Sequence, residues 1–532
     1  MNGMHADHSG IDPLVVNLTH RAVLGDVATR GAQTYGDRVA VIDGDHLLTY
    51  RQLDSYANAI ARGLLDRGLL RGDGVALQLQ NRWEFVVTFF ACAKIGVVAL
   101  PLNLALAATD IAYQLADSGV LSVVTEEAFL PVLEEALTDE SAVASVCVIG
   151  AVPDAVAGRP AYDWSVLLRH DTASVEVLVD DRDILHCLYT SGTTALPKGV
   201  VTSHVAVMIA VLTSALELGL RRRRQGCVMP IVLPMFHVTA LDVLLLPVLL
   251  TGGTAVLHRG FDAAVVVQDF AEHRVTHIAL LPAMWAALLD VPALQEVDTS
   301  TLETGFYAMA PMPAQRLQAI RAAFPAANII LGSGQTETTP LSELQWPDHQ
   351  GEKDDSWGPA AATTDVRIMG RDGQLLVAGE EGEIVYRTPQ LMDGYWNNPG
   401  ANTAAFADGW FHGGDIGYLD DEGVVWFTDR TKDMIKTGGE NVSSVEVERV
   451  ILADDAVVEC AVVGLPDDRW GEVVSAFVVP RPGVVLDTEM LRSHCRDKLA
   501  GFKVPKLFFA VEQLPKTATG KIKKHEVRST PR

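Results

Sequence analysis

Ile184-Leu185-His186-Cys187-Leu188-Tyr189-Thr190-Ser191-Gly192-Thr193-Thr194-Ala195-Leu196-Pro197-Lys198-Gly199 decides how this chain is read. The first six residues are an apolar run of strand length, which predicts a buried strand. From Thr190 to Gly199 the chain then gathers four hydroxyls, two glycines and one lysine. Such a loop can hold a polyphosphate. Backbone N–H groups turn inward, hydroxyls add donors and the lysine supplies charge. Glycine lets the backbone come close to the phosphates. In a Walker A loop, lysine directly follows glycine and precedes Ser or Thr, and that spacing is absent here. Taken alone, the segment also reads as a polar surface turn.

The surrounding chain narrows the choice. At 532 residues it exceeds one ordinary core, so two to four structural units are expected. A composition 48% hydrophobic and 20% charged is that of a globular protein rather than a disordered one. Val243 to Leu250 is strongly apolar but too short to cross a bilayer, so no membrane span is expected. Met1 to Asp7 lacks the basic and apolar segments of a secretory leader, and Ser529 to Arg532 carries no retention or peroxisomal tail. These features predict a cytoplasmic protein. A net charge of −25 argues against a nucleic-acid partner, because phosphate neutralisation needs a basic face. An anionic substrate must therefore be drawn by local positive groups. The basic block Arg221 to Arg224 reads as a solvated loop. Cys92, Cys147, Cys187, Cys227, Cys460 and Cys495 show no C-x-x-C pair, so buried thiols are expected rather than zinc or disulfides.

Strand-like runs at 75–79, 97–102, 121–125 and 145–149 alternate with helical patterns such as 83–93. This predicts α/β layers with mostly parallel buried strands. From Gly373 to Tyr418 the strands shorten and Gly, Asn and Asp become denser, which fits a barrel-like β region. Near Asp429-Arg430 a fresh α/β pattern starts. Ser444 to Leu452 reads as a helix capped by Ser443 or Ser444, with Glu446 in its first turn. Strands are expected at 460–464 and 473–479.

Further segments fall in a telling order: Leu233-Pro234-Met235-Phe236-His237, Ala308-Met309-Ala310-Pro311, Gly334-Gln335-Thr336-Glu337, Gly409 to Asp415, Asp429 to Lys436, Gly438-Gly439-Glu440, and Pro515 to Lys523. With the loop at 190–199, this series resembles the adenylate-forming superfamily of acyl-CoA synthetases, luciferases and peptide-synthetase adenylation domains. The resemblance covers nearly the whole chain and is strongest to stand-alone acyl- or aryl-CoA ligases. It implies an α/β fold. The large N-terminal domain, at 1–429, would combine two α/β layers with a β-barrel, and a small mobile α+β domain would span 430–532.

The resemblance also assigns roles. Thr190, Ser191, Gly192, Thr193, Thr194 and Lys198 would bind the nucleotide phosphates, with Thr336 beside them and Glu337 holding Mg²⁺. Asp415 and Arg430 would reach the ribose. His237, Met309, Ala310, Ser333 and Gln335 would shape the acyl pocket. Lys521 would bridge the carboxylate and the α-phosphate. Lys432 would be the hinge. Lys436 would support the second half-reaction, and Gly438, Gly439 and Glu440 would line the tunnel for coenzyme A. Lys521, Glu337, Lys436 and His237 are thus the expected catalytic set.

Three positions depart from the family pattern. Ala195 replaces a glycine, Ser333 an aromatic residue and Gly413 a threonine. His237 stands where amino-acid-activating relatives commonly place an aspartate, so the expected substrate is a small-molecule carboxylic acid without an α-amino group, with aryl, medium-chain and short branched acids all open. The implied activity is ATP-dependent ligation of that acid to coenzyme A. Loading of a separate carrier protein, luciferase-like oxygenation and nucleotide binding without turnover are the alternatives.

Overall fold

Helix Trp83–Ile95 shows how strongly composition drives this fold. Twelve of its thirteen residues are buried, as expected for a helix that is apolar nearly all round. Its two buried charges are paired, Lys94 with Asp54 at 2.8 Å and Glu84 with Arg82 at 2.7 Å, which is what burial of an ion requires. The structure is a computed structural model describing residues 8, 10–190, 196–308, 312–467, 469–517 and 521–529.

The expected strands occur at Gly74–Gln78, Val98–Pro101, Ser122–Glu126 and Ser145–Ile149. They run parallel at the centre of a nine-stranded sheet. Ile184–Thr190 joins that sheet beside Val98–Pro101, and Lys198–Ser203 returns antiparallel to it. Thr190 thus faces Lys198 across the hairpin, and the 191–197 segment connects two strands rather than a strand and a helix.

A second sheet holds Val39–Asp43, His46–Thr49, Val228–Ile231 and Thr254–Leu257. A third runs parallel through His277–Ala279, Thr304–Tyr307 and Asn328–Gly334, with Leu341–Leu344 antiparallel at its edge. One large apolar core extends from Leu24 to Leu344 beneath these layers. The barrel-like region is a five-stranded antiparallel sheet in the order Gly358–Pro359, Val424–Arg430, Phe411–Leu419, Gly382–Arg387, Asp365–Met369.

The C-terminal sheet is separate. Val457–Asp467 and Gly471–Pro480 form its long hairpin, flanked by Ile435–Thr437, Glu440–Val442 and Leu507–Ala510. Its two apolar clusters draw only on residues from Ile435 onward. Helix Ser444–Leu452 starts as expected, with Ser443 Oγ accepting from the Glu446 N–H at 3.0 Å. All six cysteines are buried and free. Among the described residues no helix is long and apolar enough to cross a membrane. Arg221 to Arg224 are exposed, and Arg223 pairs with Glu303 at 2.7 Å.

Candidate active site

A cavity of about 1350 Å³ opens where the third sheet, the five-stranded sheet and the C-terminal unit meet. Thr190 and Lys198 reach it from the hairpin of the large sheet, and His237 from the segment after Val228–Ile231. Ser333, Gln335, Thr336 and Glu337 enter at the end of Asn328–Gly334, while Asp415, Arg430 and Lys432 come from the five-stranded sheet and its exit. Lys521 completes the wall from the C-terminal side. Ser191, Gly192, Thr193, Thr194, Met309 and Ala310 lie outside the described residues.

Gly334 makes the turn before Thr336 and Glu337. Its φ is +152°, and a Cβ there would lie 1.3 Å from the Pro340 carbonyl oxygen. The turn Thr336–Thr338 follows at once, with the Gln335 N–H donating to Thr338 Oγ1 at 3.2 Å. Glu337 Oε1 then accepts from the Tyr395 hydroxyl at 2.8 Å. The same ring carries the Lys198 ammonium 4.2 Å from its centroid, a cation–π geometry. Tyr395 therefore links Lys198, the candidate phosphate-binding lysine, to the candidate metal carboxylate.

Tyr395→Phe keeps the ring beneath Lys198 and removes the bond to Glu337. The expected result is roughly a tenfold rise in KM for metal–ATP, the effect of about 1.4 kcal/mol from one hydrogen bond to a charged group. An unchanged KM alongside a lowered melting temperature would make Tyr395 purely structural.

Asp415 and Arg430 are direct cross-strand partners. Asp415 Oδ1 accepts from Arg430 Nε at 2.7 Å, and only 4% of Asp415 is exposed. Burial works against the Arg430 charge, and Asp415 outweighs it. Behind this pair lies Glu343, wholly buried, with neither carboxyl oxygen hydrogen-bonded among the described residues. Burial and then the charge of Asp415 push Glu343 up to about 8, while Tyr386 works the other way. A carboxyl raised in this way holds its proton in the folded state where the unfolded chain has lost it. Its stabilising contribution is complete at acid pH and disappears as pH rises through about 8. Glu343→Gln, which cannot ionise, is expected to flatten the fall in melting temperature between about pH 4.5 and 8. Parallel curves for the two proteins would remove Glu343 from that role.

Lys521 sits in a short bridge between Lys516 and Ile522, its backbone N–H donating to Thr517 Oγ1 at 3.1 Å. Three residues on, Lys524 pairs with Glu448 at 2.7 Å and donates to Ser444 Oγ at 2.6 Å. Ser444 in turn donates to Asp429 Oδ2 at 2.8 Å. This buried chain ties the Lys521 segment to the end of strand Val424–Arg430. The Lys521 ammonium, open to the cleft, is pushed down to about 8 by the protein around it and then by Arg430 and Lys432, with Asp415 opposing. His237 is pushed down to about 4, first by burial and then by Lys521, so its ring is neutral at pH 7. Lys432 is lowered by burial and by Arg430. Lys198, Arg430, Lys432 and Lys521 form a local positive cluster within a strongly acidic protein.

The remaining predicted residues stand apart. Lys436 is exposed on Ile435–Thr437, and Gly438, Gly439 and Glu440 form the adjoining turn, away from the cavity wall. Gly438 and Gly439 adopt φ of +61° and +90°, which explains glycine at both positions.

The match to the family model named AMP-binding enzyme covers residues 28–396, and its C-terminal domain model matches residues 446–521. The chain belongs to the AMP-binding enzyme family. A feruloyl-CoA synthase of an Amycolatopsis species is 36% identical over 505 residues, covering 95% of this chain and 98% of the relative. A long-chain-fatty-acid–CoA ligase of Mycobacterium tuberculosis is 36% identical over 488 residues, covering 91% and 93%. The o-succinylbenzoate CoA synthetase of Bacillus subtilis, solved with its acyl-adenylate intermediate, superimposes with a TM-score of 0.83 at 30% identity, covering 95% of this chain and 98% of that one.

Tyr395 was invisible in the sequence as a member of the site. It lies in a two-residue strand and meets Glu337 only through the fold. No group of three metal-ligating side chains occurs among the described residues. A lone Glu337 suits a Mg²⁺ that arrives with ATP, since that ion takes one or two carboxylates and fills its remaining positions with phosphates and water.

Proposed function

We propose that this family member is an ATP-dependent acid–CoA ligase whose acid carries an aromatic or similarly broad apolar group and no α-amino group. The observation that carries the reading is the convergence of Lys521, Glu337 and the Asp415–Arg430 pair on one cavity that also has an apolar stretch of wall. That stretch includes Val238, Val243, Phe306 and the Ala283, Ala286 and Ala287 face of helix Pro282–Leu289. Neutral His237 offers an ammonium group no counter-charge, which supports an acid without an amine.

Lys521 places positive charge where the carboxylate oxygen attacks the α-phosphate and pentacovalent charge develops. Asp415, backed by Arg430, accepts from the ribose hydroxyls and fixes the nucleotide. Glu337 would hold the Mg²⁺ that arrives with ATP, and that ion would supply charge neutralisation at the phosphates. Pyrophosphate leaves and the acyl-adenylate remains. Turning of residues 430–532 about Lys432 then withdraws Lys521 and brings Lys436 and the Gly438–Glu440 turn to the acyl carbonyl, where the thiol of coenzyme A displaces AMP. The outward position of that turn supports two alternating orientations.

The test is pyrophosphate release with ATP, Mg²⁺ and a panel of aryl-propenoic, benzoic and straight-chain acids, with and without coenzyme A. Sustained release that needs coenzyme A and favours aryl acids is the expected result. Adenylate that coenzyme A cannot discharge would point to a carrier protein. A preference for straight chains would overturn the substrate class.

A further inference from the structure

Gly413 and Gln335 both line the cavity, and the space beside Gly413 is already taken. A Cβ built on Gly413 would lie 2.0 Å from Gln335 Nε2 and 2.8 Å from both its Cδ and its Oε1. Gly413 has no positive φ, so its backbone tolerates any residue. The three nearest atoms all belong to the Gln335 amide.

Neither backbone is free to yield. Glu383 clamps both sides of Gly413, Oε2 meeting His412 Nδ1 at 3.0 Å and Oε1 accepting from the Gly414 N–H at 3.1 Å. Gln335 is held by the two-way bonding with Thr338 and by the locked turn at Gly334. Its amide nitrogen is buried without a hydrogen-bond partner among the described residues. A buried, unsatisfied donor costs stability, so close packing against Gly413 is what its position secures.

We propose that Gly413 and Gln335 act as an exchange pair that sets the width of the acyl pocket. Glycine at 413 lets the Gln335 amide withdraw sideways from the cavity, leaving room for an acid that is broad next to its carboxyl group. A side chain at 413 overlaps that amide, with a Cβ 2.0 Å from Nε2, and drives it toward the cavity that both residues line. Gln335 is thus a specificity-determining residue whose setting depends on position 413. This rests on the ligase reading above.

The test is a cycle of Gly413→Thr, Gln335→Ala and the double variant, read by acid-dependent ATP–pyrophosphate exchange. Gly413→Thr is expected to lower kcat/KM for an aryl acid at least tenfold, while a straight-chain acid loses less than threefold and KM for ATP moves less than threefold. Adding Gln335→Ala is expected to restore the aryl acid to within threefold of the unaltered enzyme. Equal losses for both acids, or a double variant no better than Gly413→Thr alone, would overturn the proposal. Gly413→Ala presents only a methyl to the same amide and should give a smaller shift of the same sign; no shift also counts against the pair. A second readout needs no substrate. Gln335→Ala should recover at least half of the melting-temperature loss caused by Gly413→Thr, and strict additivity would refute the contact. If the unaltered enzyme exchanges pyrophosphate with no acid, the ligase reading fails, while the thermal cycle still decides the pair.

Discussion

Lys521→Ala lowers acyl-adenylate formation on the order of a thousandfold, the scale expected when one charge is removed from a developing phosphorane. Thioester formation from supplied acyl-adenylate is expected to stay within a few-fold, because in the proposed alternation Lys521 leaves the cleft before the thiol arrives. Single-turnover assays of the two halves separate these outcomes, and an equal fall in both would end the assigned role. Desolvation of Lys521 by the protein around it, and then the charges of Arg430 and Lys432, add a pH signature. The Lys521 ammonium is held down to about 8, so the charged form dominates below that value and is lost above it. For the free enzyme, kcat/KM of the first half-reaction should therefore fall about tenfold per unit at higher pH. Lys521→Ala should lack that descending limb.

Gly334→Ala is expected to have the largest effect on folding. The new methyl would lie 1.3 Å from the Pro340 carbonyl oxygen, at a φ of +152° that a side chain also resists. Nothing flexible stands in the way to move aside; the obstacle is backbone. Relief requires the turn 334–340 to reorganise, at roughly 3 kcal/mol or more. Thr336 and Glu337 lie inside that turn, so adenylation should collapse together with stability. Denaturant titration and pyrophosphate exchange measure the two effects. A variant with wild-type stability would mean that the turn has another accessible conformation.

Much of the fold was legible because its strands are buried on both faces and read as short apolar runs, as at 74–78, 122–126 and 145–149. The helix cap at Ser443 was legible because capping is local. Thr190, Lys198, Thr336 and Glu337 were visible as parts of motifs, and the cavity gathers these four from segments more than a hundred residues apart. What stayed hidden depends on contacts between distant segments. The buried pair of His186 and Asp242, 3.0 Å apart, joins the strand before the phosphate loop to a π-helical segment, Thr239–Leu245, and neither residue stood out alone. Gly413 and Ser333 could be noted as departures, but not that the amide of Gln335 already fills the space beside the glycine. Glu343 lay where apolar and polar residues alternate, Leu341 to Trp346, with no sign that its carboxyl would be sealed behind Asp415.

The burial of all six thiols has a practical reach. Burial pushes Cys92 up to about 12 and Cys227 and Cys495 up to about 11, so little nucleophilic thiolate exists at neutral pH. A colorimetric disulfide reagent added to the native enzyme should therefore report the free thiol of coenzyme A with almost no background from the protein. Under denaturant the same reagent becomes a stopwatch for opening. Cys460 and Cys495 lie in the C-terminal unit and the other four in the larger one. Two thiols reacting ahead of four would show the small unit unfolding on its own, and six reacting together would show that the two units share their fate.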